Sequence, residues 1–402
     1  MIRNRLLIPL TVILSMLGLA GCGRTSHIVA PASNGRNGVT RTVNPSRVVS
    51  THKSANPSPA VGIMHLSMMS SRIGWAVGNS HQIMITTNGG KTWTNVTPSR
   101  LPTHASGFFV NLAALSSSSA DVVWSQGDKG SVYFAATKDY GRQWTIFHTA
   151  IVSYGIVQLD PLSSQDLWML VPSVPGGPVS QATIYQSTTG GHSWNKVAHG
   201  PYLTMKFLSA RIGWAGGFFP ISGQSPLWVT TTGGHSWHQI ALPFPPQLDS
   251  QQMQIAHLEI FSHHVVTVAE FPTDHGIKLL LYRQKLGPSH SWKIASPLRN
   301  TQPISLTLIS SQQGWALTKT PPGAWKLMQT VNGGTTWHLL GTLPIPFNIN
   351  NLHLQFVTAH DGWIWGEKNT KNHTDYFLWR TTDGGSHWQP INPSITLVHR
   401  TH

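Results

Sequence analysis

A single eight-residue pattern recurs along this chain and limits what it can fold into. It reads Thr86-Thr-Asn88-Gly-Gly90-Lys-Thr92-Trp93, Thr137-Lys-Asp139-Tyr-Gly141-Arg-Gln-Trp144, and Ser187-Thr-Thr-Gly-Gly191-His-Ser193-Trp194. It returns as Thr230-Thr-Thr-Gly-Gly234-His-Ser236-Trp237, Thr330-Val-Asn332-Gly-Gly334-Thr-Thr336-Trp337, and Thr381-Thr-Asp383-Gly-Gly385-Ser-His-Trp388, with a degraded copy ending at Trp292. The seven tryptophans are 43 to 55 residues apart, which leaves room for four short strands and their turns per repeat. Tight Gly-Gly turns supply positive φ without steric cost, and a Thr, Asn or Asp oxygen bonds back to the amides of the turn.

A second signature precedes the first: Gly74-Trp75-Ala, Gly213-Trp214-Ala, Gly314-Trp315-Ala and Gly362-Trp363-Ile, with weaker copies at Val123-Trp124 and Leu167-Trp168. Each repeat therefore divides into four strand-length segments bounded by turn residues, the first an apolar run such as His65 to Met69. Helical periodicity is almost absent. Seven four-stranded antiparallel units predict an all-β, seven-bladed β-propeller over residues 61–392, because radial closure protects sheet edges that an open stack would leave bare. The flat apolar body of each recurring Trp is expected to pack between neighbouring sheets.

Before the repeats, residues 1–22 read as a lipoprotein signal peptide. Arg3 and Arg5 precede a mainly apolar stretch that ends in Leu19-Ala20-Gly21-Cys22, and Cys22 would carry the lipid. A chance cysteine in an ordinary signal peptide is the plainer alternative. Since Cys22 is the only cysteine, no intramolecular disulfide and no cysteine-based zinc site can form. Residues 23–60 are rich in Ser, Pro and Asn and carry basic residues without an acid, which suits a flexible tether beside an anionic leaflet. Residues 393–402 read as a C-terminal tail. The expected location is outside the cytoplasm, on the membrane surface.

The motifs resemble the Asp-box (BNR) repeat, Ser/Thr-x-Asp-x-Gly-x-Thr/Ser-Trp, of bacterial sialidases, sortilin-type receptors and their relatives. Paired with Gly-Trp-Ala-x-Gly one strand earlier, they more closely resemble the photosystem II assembly and stability factor family. The resemblance covers roughly residues 60–392. It implies a propeller that helps an envelope complex mature or persist, and nothing in the residues implies a photosystem. The box carboxylate survives only as Asp139 and Asp383, with Asn88, Asn332, Thr189 and Thr232 in its place elsewhere. Those exchanges fit a turn-stabilising role rather than a charge-dependent one.

Charge and composition bear on activity. Thirteen acids stand against 27 Lys and Arg, for a formal charge of +14. Glycosidases need paired carboxylates or a Tyr nucleophile backed by acids, and the folded region has no acid before Asp121. Glu259, Glu270, Asp274 and Glu367 are the remaining candidates for a glycan-active alternative, and scattered solvated carboxylates are the plainer reading. The 22 histidines show no metal-ligand spacing, and turn residues such as His192, His235 and His387 read as polar fillers, so no metal and no cofactor is expected. Lys and Arg are spread over every repeat instead of forming a stripe, which argues against nucleic acid. A surface short of carboxylates also predicts stability that changes little with pH in acid.

In a four-stranded blade the boxes occupy the third–fourth hairpins. The second–third loops (Pro172–Ser180, Gly216–Pro226, Lys319–Ala324, Gly366–Asp375) and crossovers such as Leu242–Gln254 should lie on the opposite face. Phe218, Phe219, Lys319, Trp325, Trp365 and Lys368 are the expected binding-face residues, with packing between blades as the alternative for the two Trp. The sequence thus points to a non-catalytic scaffold whose partner is another envelope or membrane protein.

Overall fold

The computed structural model describes residues 11–13, 62–103, 107–126, 129–173, 181–217, 225–243, 245, 253–273, 276–287, 291–295, 302–320, 324–343, 345, 349–370 and 373–397. It is an all-β, seven-bladed β-propeller of four-stranded antiparallel blades spanning residues 63–95, 108–153, 158–200, 202–239, 254–294, 302–342 and 350–391. Thr11–Ile13 pairs with Ser305–Thr307 at the inner edge of the sixth blade; the rest of 1–22, Cys22 included, and the expected tether up to residue 60 lie outside the described residues.

The first blade shows why the repeat folds as it does. Its strands are Ile63–Met68, Gly74–Gly78, Ile83–Thr86 and Thr92–Asn95. The last pair is joined by the Gly-rich turn, where Gly89 and Gly90 have φ of 76° and 95°, a backbone that L side chains avoid. Thr86 Oγ1 accepts from Gly90 N at 3.0 Å and Asn88 Oδ1 from Thr92 N at 2.9 Å. The same second bond is made by Asp139, Thr189, Thr232, Asn332 and Asp383 at 2.9 to 3.0 Å. Carboxylate, amide and hydroxyl serve alike, so the turn needs an acceptor oxygen and not a charge. The first turn glycine also donates to the hairpin between strands one and two, as Gly89 N to Arg72 O at 2.7 Å and Gly384 N to His360 O at 2.9 Å. Both hairpin sets therefore form one braced face.

The Gly-Trp pair has a separate reason. A Cβ on Gly213 would lie 2.5 Å from the ring of Phe207 on the inner strand, and one on Gly362 would lie 2.6 Å from Phe356. Gly74 and Gly314 are likewise pressed against Met68 and Leu308. Absence of a side chain there lets a large inner-strand residue cross the blade. The following Trp then stacks on that residue's counterpart in the next blade: Trp168 on Phe207 at 4.1 Å and Trp315 on Phe356 at 3.9 Å. Its indole N–H reaches the next blade's Gly-rich turn, from Trp168 to Gly233 O, Trp315 to Gly384 O and Trp363 to Gly89 O at 3.0 to 3.2 Å.

Two readings of the repeats need correction. Trp124 is not the second blade's copy of the Gly-Trp tryptophan. The strand register places Ala120 opposite Thr137, as Gly74 is opposite Thr86, so Asp121 takes the tryptophan position. Trp124 instead packs in the cluster shared with the first blade. Second, the box tryptophans are less deeply wedged than expected. Trp93 and Trp292 are buried, while Trp144, Trp194, Trp237, Trp337 and Trp388 are half-buried along the seams. Strand-two tryptophans are the ones sealed between sheets, with Trp75, Trp168, Trp315 and Trp363 at 0 % exposure.

Six inner strands alternate polar and apolar residues over four positions: His65-Leu66-Ser67-Met68, Gln158-Leu159-Asp160-Pro161, Thr204-Met205-Lys206-Phe207, His257-Leu258-Glu259-Ile260, Ser305-Leu306-Thr307-Leu308 and His353-Leu354-Gln355-Phe356, while the second blade has Asn111-Leu112-Ala113-Ala114. The apolar positions join the cores between blades, and polar ones of the third, sixth and seventh blades reach the inner strand of the next blade. Gln158 and Asp160 accept from Met205 N and Phe207 N at 3.2 and 2.5 Å, and Ser305 and Thr307 from Leu354 N and Phe356 N at 3.0 and 3.4 Å. Amides that would otherwise be left bare at the strand edge are satisfied by side chains.

Ring closure uses the same device. Gln355 of the seventh blade accepts from Met68 N at 2.8 Å and donates to Met68 O at 3.3 Å in the first. The segment read as a tail then contributes a strand, because Ser394–Leu397 runs parallel to Thr92–Asn95 as a fifth strand outside the first blade. Ile395 packs against the core shared by the first and seventh blades. Each blade is complete from contiguous chain, so closure is a strap laid over the outside.

Two measurements check this account. Gly213→Val is expected to cost about 1–3 kcal/mol by overpacking Phe207, read as a lower denaturant midpoint with an unchanged slope. Truncation after residue 393 should lower Tm by a few degrees, equivalent to about 1–2 kcal/mol, while the far-UV signature of the seven blades persists; loss of the whole β signal would show that the strap is required to form the ring.

Candidate functional site

Antiparallel meanders send the second–third loops and the crossovers to the face opposite the Gly-rich turns. Of the expected binding-face residues, four are described, and the two tryptophans among them are buried. Phe218 and Phe219 lie outside the described residues. Trp325 is 3 % exposed and Trp365 0 %. The strands run further than the loop reading allowed: Gly314–Thr320 pairs with Ala324–Thr330, and Gly362–Asn369 with Thr374–Thr381. Extended pairing turns both tryptophans into the seams, where Trp365 Nε1 donates to Met64 O at 3.4 Å. Lys319 lies with its ammonium 5.1 Å from the Trp325 ring centre, and Lys368 is half-buried opposite Asp375.

What this face does bring together is a polar cluster where the seventh blade meets the first. His65 and His353 stand on adjacent inner strands, each beside a register shift, at Ile63/His65 and Asn350/His353. Such bulges re-aim side chains. His353 lies 5.2 Å from the Trp365 ring. Asn351 adopts φ of 52°, a left-handed conformation, and its amide donates to Glu367 Oε1 at 2.6 Å. Tyr376 covers Gly62, whose added Cβ would lie 2.6 Å from its ring, and Met64 beside them is 43 % exposed. The sequence reading singled out Glu367 and Trp365 but missed His65, His353, Asn351 and Tyr376. The alternating polar residues of the inner strands carried the signal for the two histidines.

Electrostatics there are set by burial. Desolvation pushes His65 down to about 4, and His353 down to about 4 with the neighbouring His65 adding to the effect. On the fifth blade, burial and then Lys206 lower His257 to about 3. Asp121, in the slot of a tryptophan, is raised by burial to about 8 despite the opposing pull of Lys138. Burial also raises Glu270, whose partner is Gln254.

Most described carboxylates have structural partners. Asp160 pairs with Lys206 at 2.9 Å and Asp361 with Arg380 at 3.0 Å. Asp139 and Asp383 serve their own turns, Asp166 accepts from Ser163, Asp375 faces His373, and Glu259 lies 3.5 Å from His257. Asp121 Oδ2 is buried without a hydrogen-bond partner. Among the described residues, no three His, Cys, Asp or Glu side chains come together as a metal-holding group.

No family model and no curated protein matches the chain. Among solved structures, it is similar to YCF48 bound to a D1 peptide, at 18% identity and a TM-score of 0.52 over 81% of this chain and 94% of that one. It is also similar to one of a pair of prolyl endopeptidases, at 11% identity and a TM-score of 0.54 over 82% of this chain; it spans about half of that protein, 49%. At these identities the likeness is one of fold.

The pH dependence is calculable in sign. A neutral buried histidine makes the unfolded chain the better proton binder, so stability is lost as pH falls from about 6.5 through the folded value near 4. Asp121 works the other way, because its folded form holds the proton and stability rises as pH falls from about 8. The three histidines outnumber it in acid, which opposes the pH-independence expected from the carboxylate-poor surface. Tm should therefore peak near pH 6–7, and His257→Asn should flatten the limb between about pH 6 and 4; an acid limb of the same slope in that variant would assign the loss elsewhere.

Proposed function

We propose that this chain is a lipid-anchored, extracytoplasmic propeller that acts as a non-catalytic docking or assembly platform for an envelope protein. The observation that carries the reading is the commitment of most described carboxylates to turns, strand edges and ion pairs rather than to a pair set up for glycoside chemistry. A propeller of the same fold, YCF48, has been solved with a D1 peptide bound, and that supports a polypeptide as the class of ligand. The docking contact lies at the seventh–first seam on the loop face, where exposed Met64 and half-buried Tyr376 flank the amide and imidazole groups of Asn351 and His353. An apolar anchor rimmed by polar groups is the usual composition of an interface centre. The anchor is Cys22, with the basic tether holding the ring near an anionic surface.

Crosslinking and affinity purification from membranes test both halves. Cys22→Ser should abolish labelling by a fatty-acid analogue and move the protein to the soluble fraction. Tyr376→Ala with Met64→Ala should reduce partner recovery about tenfold or more without changing Tm by more than a few degrees. Glycan hydrolysis that disappears in Glu270→Gln or Glu367→Gln would overturn the non-catalytic reading.

A further inference from the structure

The braced face holds a feature found at the closing seam. Elsewhere the chain leaves the outer strand of one blade and returns to the inner strand of the next. After the seventh blade it instead crosses directly from Gln389–Ile391 to Ser394–Leu397, outside the first blade, with Ser394 N donating to Lys91 O at 3.3 Å. Beside that crossing lies a cavity of about 400 Å³, lined by Arg380, the seventh blade's Gly-rich turn, residues 389–392 and Lys91 of the first blade's turn.

Its polar lining sets two cations, Lys91 and Arg380, beside one carboxylate, Asp383, and the two-way groups of Thr382, His387, Gln389 and Asn392. Lys91 and His387 are exposed, and the Arg380 guanidinium, half-buried, gives one N–H to Asp361 while its Nε has no partner. The nearby carboxylate is already occupied: Asp383 Oδ1 accepts from Thr381 Oγ1 and His387 N, and its Oδ2 meets His387 Nδ1 at 2.7 Å. Gln389 contributes an amide, and Ile391 an apolar wall. A lining of this kind, with an exposed ammonium, a neighbouring guanidinium, a satisfied carboxylate and one apolar side, complements a small polar ligand that bears an oxyanion.

We infer that this seam is a binding site for a carboxylate- or phosphate-bearing ligand of monosaccharide size, held by Lys91 and Arg380 with Gln389 at its neutral end. The site lies on the opposite face from the docking contact proposed above and stands or falls independently of it. Pro390, Ile391 and Asn392 of the crossing form part of its wall, so the site depends on the chain's path at this seam.

Titration calorimetry on the full chain with glucuronate, inorganic phosphate and glucose tests the inference. At least one of the two anions should bind and glucose should not, with glucuronate alone marking a sugar acid and phosphate alone a phosphate group. Lys91→Gln should weaken the bound anion about fivefold or more, and Gln389→Ala should weaken it less. Lys368→Gln, on the far face, should leave it unchanged. Absence of heat from both anions, or equal affinity in the Lys91→Gln and Lys368→Gln variants, would overturn the site.

Discussion

A strand at the centre of a propeller has a free edge, and a row of bare amides there is costly unless something bonds to them. This chain solves the problem with side chains. At three seams the polar residues of one blade's inner strand meet the backbone N–H groups of the next, as Asp160 meets Phe207, Thr307 meets Phe356 and Gln355 meets Met68. The apolar residues between them enter the interblade cores. The angle between neighbouring blades is therefore set by hydrogen bonds at the centre and by the Trp-on-Phe stacks further out. Both devices bridge consecutive blades; across the one seam where the blades are not consecutive in sequence, Gln355 repeats the central hydrogen bonds and the Trp363 indole N–H bonds to Gly89 O.

Exceptions show what the device contributes. In the second blade Asp121 replaces the tryptophan and is left buried, with its ionisation suppressed. The fifth blade has Val265 and Val266 where Gly-Trp is expected and a degraded turn at Gly287. The indole of Trp214, which would point to that turn from the fourth blade, has no acceptor. A buried polar group without a partner typically costs about 1–3 kcal/mol.

Function is distributed differently from stability. The Gly-rich turns recur because they brace one face, and their exchange of Asp, Asn and Thr at constant geometry removes any need for charge. The other face varies from blade to blade. The histidine pair, the left-handed Asn351 and exposed Met64 sit together only because the ring closes the seventh blade onto the first.

Blade number, strand count and turn positions were legible in the sequence because each rests on contacts within about fifty residues: a Gly-Gly turn with positive φ, and a Gly opposite a bulky inner-strand residue. The direction of Trp325 and Trp365 stayed open between loop face and seam, and strand pairing out to Thr320 and Asn369 decided for the seam. The true counterpart of Trp75 in the second blade was hidden too, because only strand pairing distinguishes Asp121 from Trp124. By itself the sequence determined the repeating unit and its local hydrogen bonds. Tertiary structure alone decided which polar residues of distant blades meet, how the last strand straps the first blade, and where charged groups lose solvent, because those outcomes depend on closure of the whole ring.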